Sequence, residues 1–129
     1  MKFPSYLFLL TLVFSQSITG CALPNHSNAN DTIHHIVLLW LKSDAEPDIY
    51  NQIIDETTKL AEIDEIKAIR VGRSITSNRT IVDDSFSLGI AMQFNNKQEM
   101  QRYLDDPRHV TLVETYIKPN ISRIVVYDF

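Results

Sequence analysis

Three side chains in this sequence have the right types for proton chemistry: Tyr103, His109 and His35. Two of them sit in the stretch YLDDPRHV, residues 103–110. There the pattern predicts a short helix that stops at Asp-Asp-Pro and a second helix that starts at Pro107. Asp106 then serves as the N-cap and Pro107 takes the first helical position. His109 falls in the first turn, where the positive end of the helix disfavours imidazolium. A neutral imidazole is a base near pH 7. Tyr103 brings a phenol that can donate to a developing oxyanion. His35 follows His34 in an extended run, and neighbours in a strand point to opposite faces. The pair therefore cannot close on one zinc ion. Asp83-Asp84 and Asp105-Asp106 read as caps and loop charges rather than a hard-cation site. No metal and no cofactor is expected. The competing reading is structural: His109 bonds the backbone or Asp105 across the helix break, and Tyr103 fills the core.

These residues have to be positioned by one domain, since the chain has 129 residues. Its net charge is −4 and its basic residues are scattered, which argues against a nucleic-acid partner. With only three glycines, no phosphate-cradling loop can be assembled. Residues 1–20 have a basic start at Lys2 and an apolar run from Tyr6 to Phe14. That run is too short to span a bilayer and reads as a secretory signal. It leads to Ile18-Thr19-Gly20-Cys21, which resembles the bacterial lipobox. The resemblance implies lipidation of Cys21, the lone cysteine, and cleavage before it. With Ala22 next, it implies a cell-envelope protein, on the periplasmic side of the outer membrane if the cell is Gram-negative. Residues 21–31 are polar and read as a flexible tether. The folded domain is 32–129.

Within that domain, residues 32–42 read as a strand with apolar residues on both faces. Ser43 and Glu46 have capping-box spacing and Pro47 suits a first turn. Ile49, Ile53, Thr57, Leu60 and Ala61 then mark one face of a helix that runs to about Ile63. Strands follow at 66–75 and 85–94, with 76–84 as a loop. The third strand carries Phe86, Leu88, Ile90, Met92 and Phe94 on one face. Asn96 and Glu99 open a helix through Leu104, the helix from Pro107 places His109, Val113 and Tyr116 on one face, and 121–129 closes the chain as a strand. The order β-α-β-β-α-β, with its second helix broken, predicts a ferredoxin-like α+β sandwich. Helices cover one side of such a sheet. The other side is apolar too, so a homodimer, sheet against sheet, is expected.

HHIVLLWLK, IKAIRVGRSI, FNNKQEMQRYLDDPRHV and the closing IVVYDF together resemble the stress-responsive A/B barrel family across the whole folded part. The most specific piece is Tyr103 followed by Asp-Pro-Arg-His109. The family usually has His-Pro-x-His, and Asp106 stands where its first histidine would be. The resemblance implies a dimeric α+β barrel. It also implies a pocket between sheet and helices, in which a plant member closes polyketide rings without a cofactor through tyrosine and histidine. His35, Tyr103 and His109 match pocket positions. A further pocket histidine and tyrosine of that cyclase would fall near Leu88 and Glu56, and are missing.

The leading functional expectation is a lipid-anchored envelope protein that binds a small apolar or aromatic molecule. The alternative is a cofactor-free cyclase or monooxygenase-like enzyme using His109 and Tyr103, and a third reading is a subunit with no pocket. The interior decides among them. A closed core favours the structural reading, an apolar cavity favours binding, and a cavity faced by both His109 and Tyr103 favours catalysis.

Overall fold

The computed structural model describes residues 32–129. The signal, Cys21 and the tether lie outside the described residues. Four antiparallel strands, β1 (Ile33–Leu41), β2 (Ala68–Arg73), β3 (Leu88–Phe94) and β4 (Ile121–Asp128), form one sheet in the order β2-β3-β1-β4. Three α-helices, α1 (Ile49–Lys59), α2 (Lys97–Asp105) and α3 (Pro107–Leu112), lie in the connections, and α1, α2 and α3 supply buried side chains to a single core. This is the ferredoxin-like sandwich.

Alternation decides which side chains meet the helices. His35, Val37 and Leu39 of β1 are buried, and they pair across the sheet with Met92, Ile90 and Leu88 of β3. Phe94, Ile53, Leu60 and Ile63 complete the centre, all at 2% exposure or less. Each such side chain removed from water contributes about 1.5–3 kcal/mol. The opposite sheet face carries Ile36, Leu38, Ala91 and Val125, apolar as the alternation predicts.

Four local expectations need correction. Ser43 and Glu46 make no capping box. The helix begins later, at Ile49, with Asp48 as a cap whose side chain makes no capping bond. Ala61 is exposed, because the last turn tightens into a 3-10 segment, Leu60–Glu62, that rotates it off the core face. Phe86 precedes β3 and lies on the outer face. Its ring packs edge-on to Trp40 at 6.4 Å and sits where a Cβ on Gly89 would meet it at 3.3 Å. Finally, Tyr116 leaves the face it was expected to share with His109. Residues Val113–Ile117 form a π-helical turn, wider than 3.6 residues, so Ile117 follows Val113 inward instead.

Candidate functional site

The break between α2 and α3 is built as the sequence predicts. Asn96 Oδ1 accepts from the Glu99 N–H (2.9 Å) to open α2, and Asp106 Oδ1 accepts from the Arg108 N–H (2.8 Å) to open α3. Pro107 occupies the first position of α3. The turn between them brings the end of α2 and the start of α3 over the end of the sheet where β1 begins and β4 finishes.

There a cavity of about 320 Å³ opens between sheet and helices. His35, Tyr103 and His109 all line it. The Tyr103 ring lies 4.5 Å from that of His109 and 6.0 Å from that of His35, centroid to centroid. Phe94 backs Tyr103 at 5.1 Å. The remaining wall is apolar, with Ile90, Leu112, Val113 and Ile117 from the core side. At the mouth stand Ile124 and Val126 of β4, 47% and 45% exposed.

The sequence reading missed one member. Asp128, the last residue of β4, also lines the cavity, and its Oδ1 accepts a hydrogen bond from His35 Nδ1 at 2.6 Å. The signal for it was topological. β4 pairs antiparallel with β1, and the register sets Asp128 opposite His35 on the helix-facing side. No local pattern in IVVYDF marks that aspartate.

Both imidazoles are committed at the same nitrogen. His35 Nδ1 donates to Asp128, and His109 Nδ1 donates to the Leu104 carbonyl at 3.0 Å. In each ring Nε2 is left for the cavity. Burial lowers the His109 pKa below the ordinary histidine value. The nearby His35 pushes it the same way, while the Leu104 carbonyl and Asp106 oppose. His109 is therefore neutral at pH 7. Burial pushes the Tyr103 phenol far above its ordinary value, so it keeps its proton and can donate it in a hydrogen bond. The site thus combines a neutral base, a phenol donor and a carboxylate-oriented imidazole.

Leu88 is fully buried in the core, and Glu56 lies in a groove with Lys59 and Tyr116, away from the cavity. Among the described residues no group of three or more His, Cys, Asp or Glu is placed to hold a metal ion. A larger cleft, about 630 Å³, lies on the other sheet face under the loop before β3. Among the described residues it holds Arg70, Arg73 and Arg79 but no histidine or tyrosine, and the histidine–tyrosine cluster marks the smaller cavity as the candidate site.

Residues 33–129 match the model of the Stress responsive A/B Barrel Domain. The chain belongs to that family. Solved structures similar to this A/B barrel share its fold. One is a Dabb family protein with a ferredoxin-like fold from Mesorhizobium loti (22% identity, TM-score 0.63, covering 77% of this chain and 95% of that one). Another is a dimeric ferredoxin-like protein of unknown function from Thermobifida fusca (23%, 0.65, 77% and 90%). A third is the hydroxynitrile lyase from Passiflora edulis (21%, 0.68, 77% and 92%). No curated protein matches the sequence.

Proposed function

We propose that this A/B barrel is a cofactor-free acid–base catalyst acting on a small, non-anionic, largely apolar carbonyl compound. The observation that carries the proposal is the convergence of Tyr103, His109 and the His35–Asp128 pair on one cavity whose other walls are apolar. His109 Nε2 takes a proton from the carbon beside the carbonyl. The C–H electron pair moves into the enolate, and Tyr103 donates a hydrogen bond to the oxygen as it gains charge. The protonated His109 then returns the proton to the product. Positioned acid–base groups of this kind contribute about 10²–10⁴-fold in rate. The substrate is small, because the cavity is at the low end of ligand-site volumes. It is not an anion, because among the described residues no Lys or Arg lines the site and Asp128 would repel one. That a hydroxynitrile lyase shares the fold supports catalysis on this scaffold.

The apolar wall favours a second reading, a protein that binds such a molecule without turning it over. One assay separates the two. Deuterium exchange into a small aryl ketone and cleavage of an aryl cyanohydrin are followed by NMR, beside a binding titration. Turnover that falls at least about 100-fold in His109→Ala and Tyr103→Phe supports the enzyme. Binding without turnover of any probe supports the second reading, and neither binding nor turnover overturns both.

The same chain is proposed to work as a homodimer, lipid-anchored in the cell envelope. Support for the dimer is the apolar outer sheet face and the similar structures described as dimeric. Support for the anchor is the lipobox-like ITGC. Cys21→Ala should move the protein from the membrane to the soluble fraction, and identical fractionation of mutant and parent would sink the anchor.

A further inference from the structure

Two arginines outside the cavity hold the two helices that meet above it. Asp106 and Arg108 form a forked pair: Oδ1 accepts from Nε at 3.0 Å and Oδ2 from Nη2 at 2.7 Å. The same Oδ1 caps α3. Held in this fork, the guanidinium turns its Nη1 toward the Glu62 carbonyl at 3.5 Å. On α2, Arg102 Nε donates to Glu65 Oε1 at 2.9 Å. Glu62 closes the 3-10 turn and Glu65 lies in the connection that leads from it to β2, so both partners fall within residues 62–65. The start of α3 and the end of α2 are thus pinned to one segment, each by its own arginine.

The hydrogen bond from His109 Nδ1 to Leu104 O crosses the break that these pins span. Its donor belongs to α3 and its acceptor to α2. A relative shift of about 1 Å between the helices would take a 3.0 Å contact out of hydrogen-bond range. Once that bond is lost, no acceptor holds the proton on Nδ1, and it redistributes between the two ring nitrogens.

We propose that Arg102 and Arg108, clamping α2 and α3 on residues 62–65, are positioning residues that hold His109 in the Nδ1–H tautomer and so keep Nε2 free for the cavity. This rests on His109 being the base proposed above, although the measurement reads the ring itself. The clamp replaces local rigidity that the broken helix gives up. Asp106 is central to it, because its one carboxylate both caps α3 and grips the guanidinium. A histidine there could cap less well and could not grip a guanidinium through two oxygens.

Exposed ion pairs add little to stability, so removing one should leave the fold intact and move only the geometry. Charged and titratable groups around His109 are His35 on β1, Asp128 on β4, Tyr103 on α2 and Asp106 at the break. Arg108→Gln removes the partner of Asp106, whereas Arg102 and Glu65 hydrogen-bond to each other and to none of the four, so their substitutions separate helix position from the charge at the break.

The test is ¹⁵N NMR of the full chain in detergent micelles, labelled at histidine, at about pH 8, where His109 is neutral. His109 is assigned by the signals lost in His109→Gln. The parent should show a protonated Nδ1 and a bare Nε2. Arg108→Gln should shift His109 toward a mixture of tautomers, and Arg108→Lys should do the same, because an ammonium lacks the fork. Glu65→Gln loosens the other pin and should move the ring the same way by a smaller amount. If Arg108→Gln fails to fold, Glu65→Gln and Arg102→Gln carry the test. A single Nδ1–H signature that persists in folded variants overturns the clamp, as does an Nε2–H ring in the parent. Failure of every turnover assay would overturn the enzyme reading and leave this result standing.

Discussion

His35 and Asp128 lie 93 positions apart in the chain and are joined by a 2.6 Å hydrogen bond at the mouth of the cavity. The imidazole is buried, at 6% exposure, and the carboxylate is nearly half exposed. The bond fixes which ring nitrogen faces the cavity. It also supplies the buried Nδ1–H with the partner that a buried donor requires.

Removing that partner gives the first prediction. Asp128→Ala leaves the Nδ1–H of a buried ring unsatisfied and should cost about 1–3 kcal/mol of unfolding free energy. Asp128→Asn keeps an acceptor oxygen at the same place and should cost less. Urea denaturation of the two variants and the parent measures the order. Equal stability of all three would mean that solvent at the mouth replaces the carboxylate freely.

A second prediction comes from the core. Thr57 is fully buried on α1, and its Oγ1 has no hydrogen-bond partner among the described residues. Its neighbour Thr58, on the exposed side, does bond back, to the Ile54 carbonyl at 2.7 Å. Thr57→Val keeps the branched shape and removes the orphaned hydroxyl, so it should stabilise the protein by about 1 kcal/mol. For a domain of this size that raises Tm by about 4–8 °C. A lower Tm would show that the hydroxyl has a partner, water or another group, that the substitution breaks.

The elements that carry this site were legible to different depths. The break was local, and Asp106, Pro107, Asn96 and Glu99 announced it through capping chemistry that acts within four residues. That His35, Tyr103 and His109 share one pocket was implied only by the family resemblance, because alternation in β1 leaves open which of His34 and His35 faces the helices. Asp128 was not legible, because its role depends on a strand pairing closed across 93 residues. The π-helical turn was invisible for a related reason. Val113, Glu114, Thr115, Tyr116 and Ile117 have no composition that forbids a regular helix, and only packing against the sheet selects the wider turn. The false capping box at Ser43 shows the reverse failure, a local spacing that the tertiary structure did not use.

The outer sheet face supplies the third prediction. Leu38 sits at its centre, paired with Gly89 on one side and Val125 on the other, and among the described residues no helix covers it. If a second copy covers that face, Leu38→Asp buries a charge at the interface and should give a monomer at micromolar concentration. Light scattering on parent and variant reads this directly. The cavity on the other face should remain, so binding at the site tests whether the variant is folded. A parent that is itself monomeric would remove the reason for an apolar outer face.

The last prediction concerns His109 and pH. Its pKa in the folded protein is below the ordinary value near 6.5, chiefly because burial disfavours imidazolium. Between the folded and unfolded values the unfolded chain binds more protons than the native one, so stability rises with pH across that window. The contribution of neutral His109 is fully present above the unfolded pKa. It is lost as pH falls below about 6.5 and through the lower folded value. His109→Gln removes the titrating group and should flatten that part of the stability curve, compared by urea denaturation between about pH 5 and pH 8. The same titration should appear in catalysis, as an acid limb of kcat/KM that sets in below the ordinary histidine range. A stability curve unchanged by His109→Gln would mean that the ring is solvated in both states and cannot be the buried base. An acid limb without a matching change in stability would mean that a group other than His109 is the base.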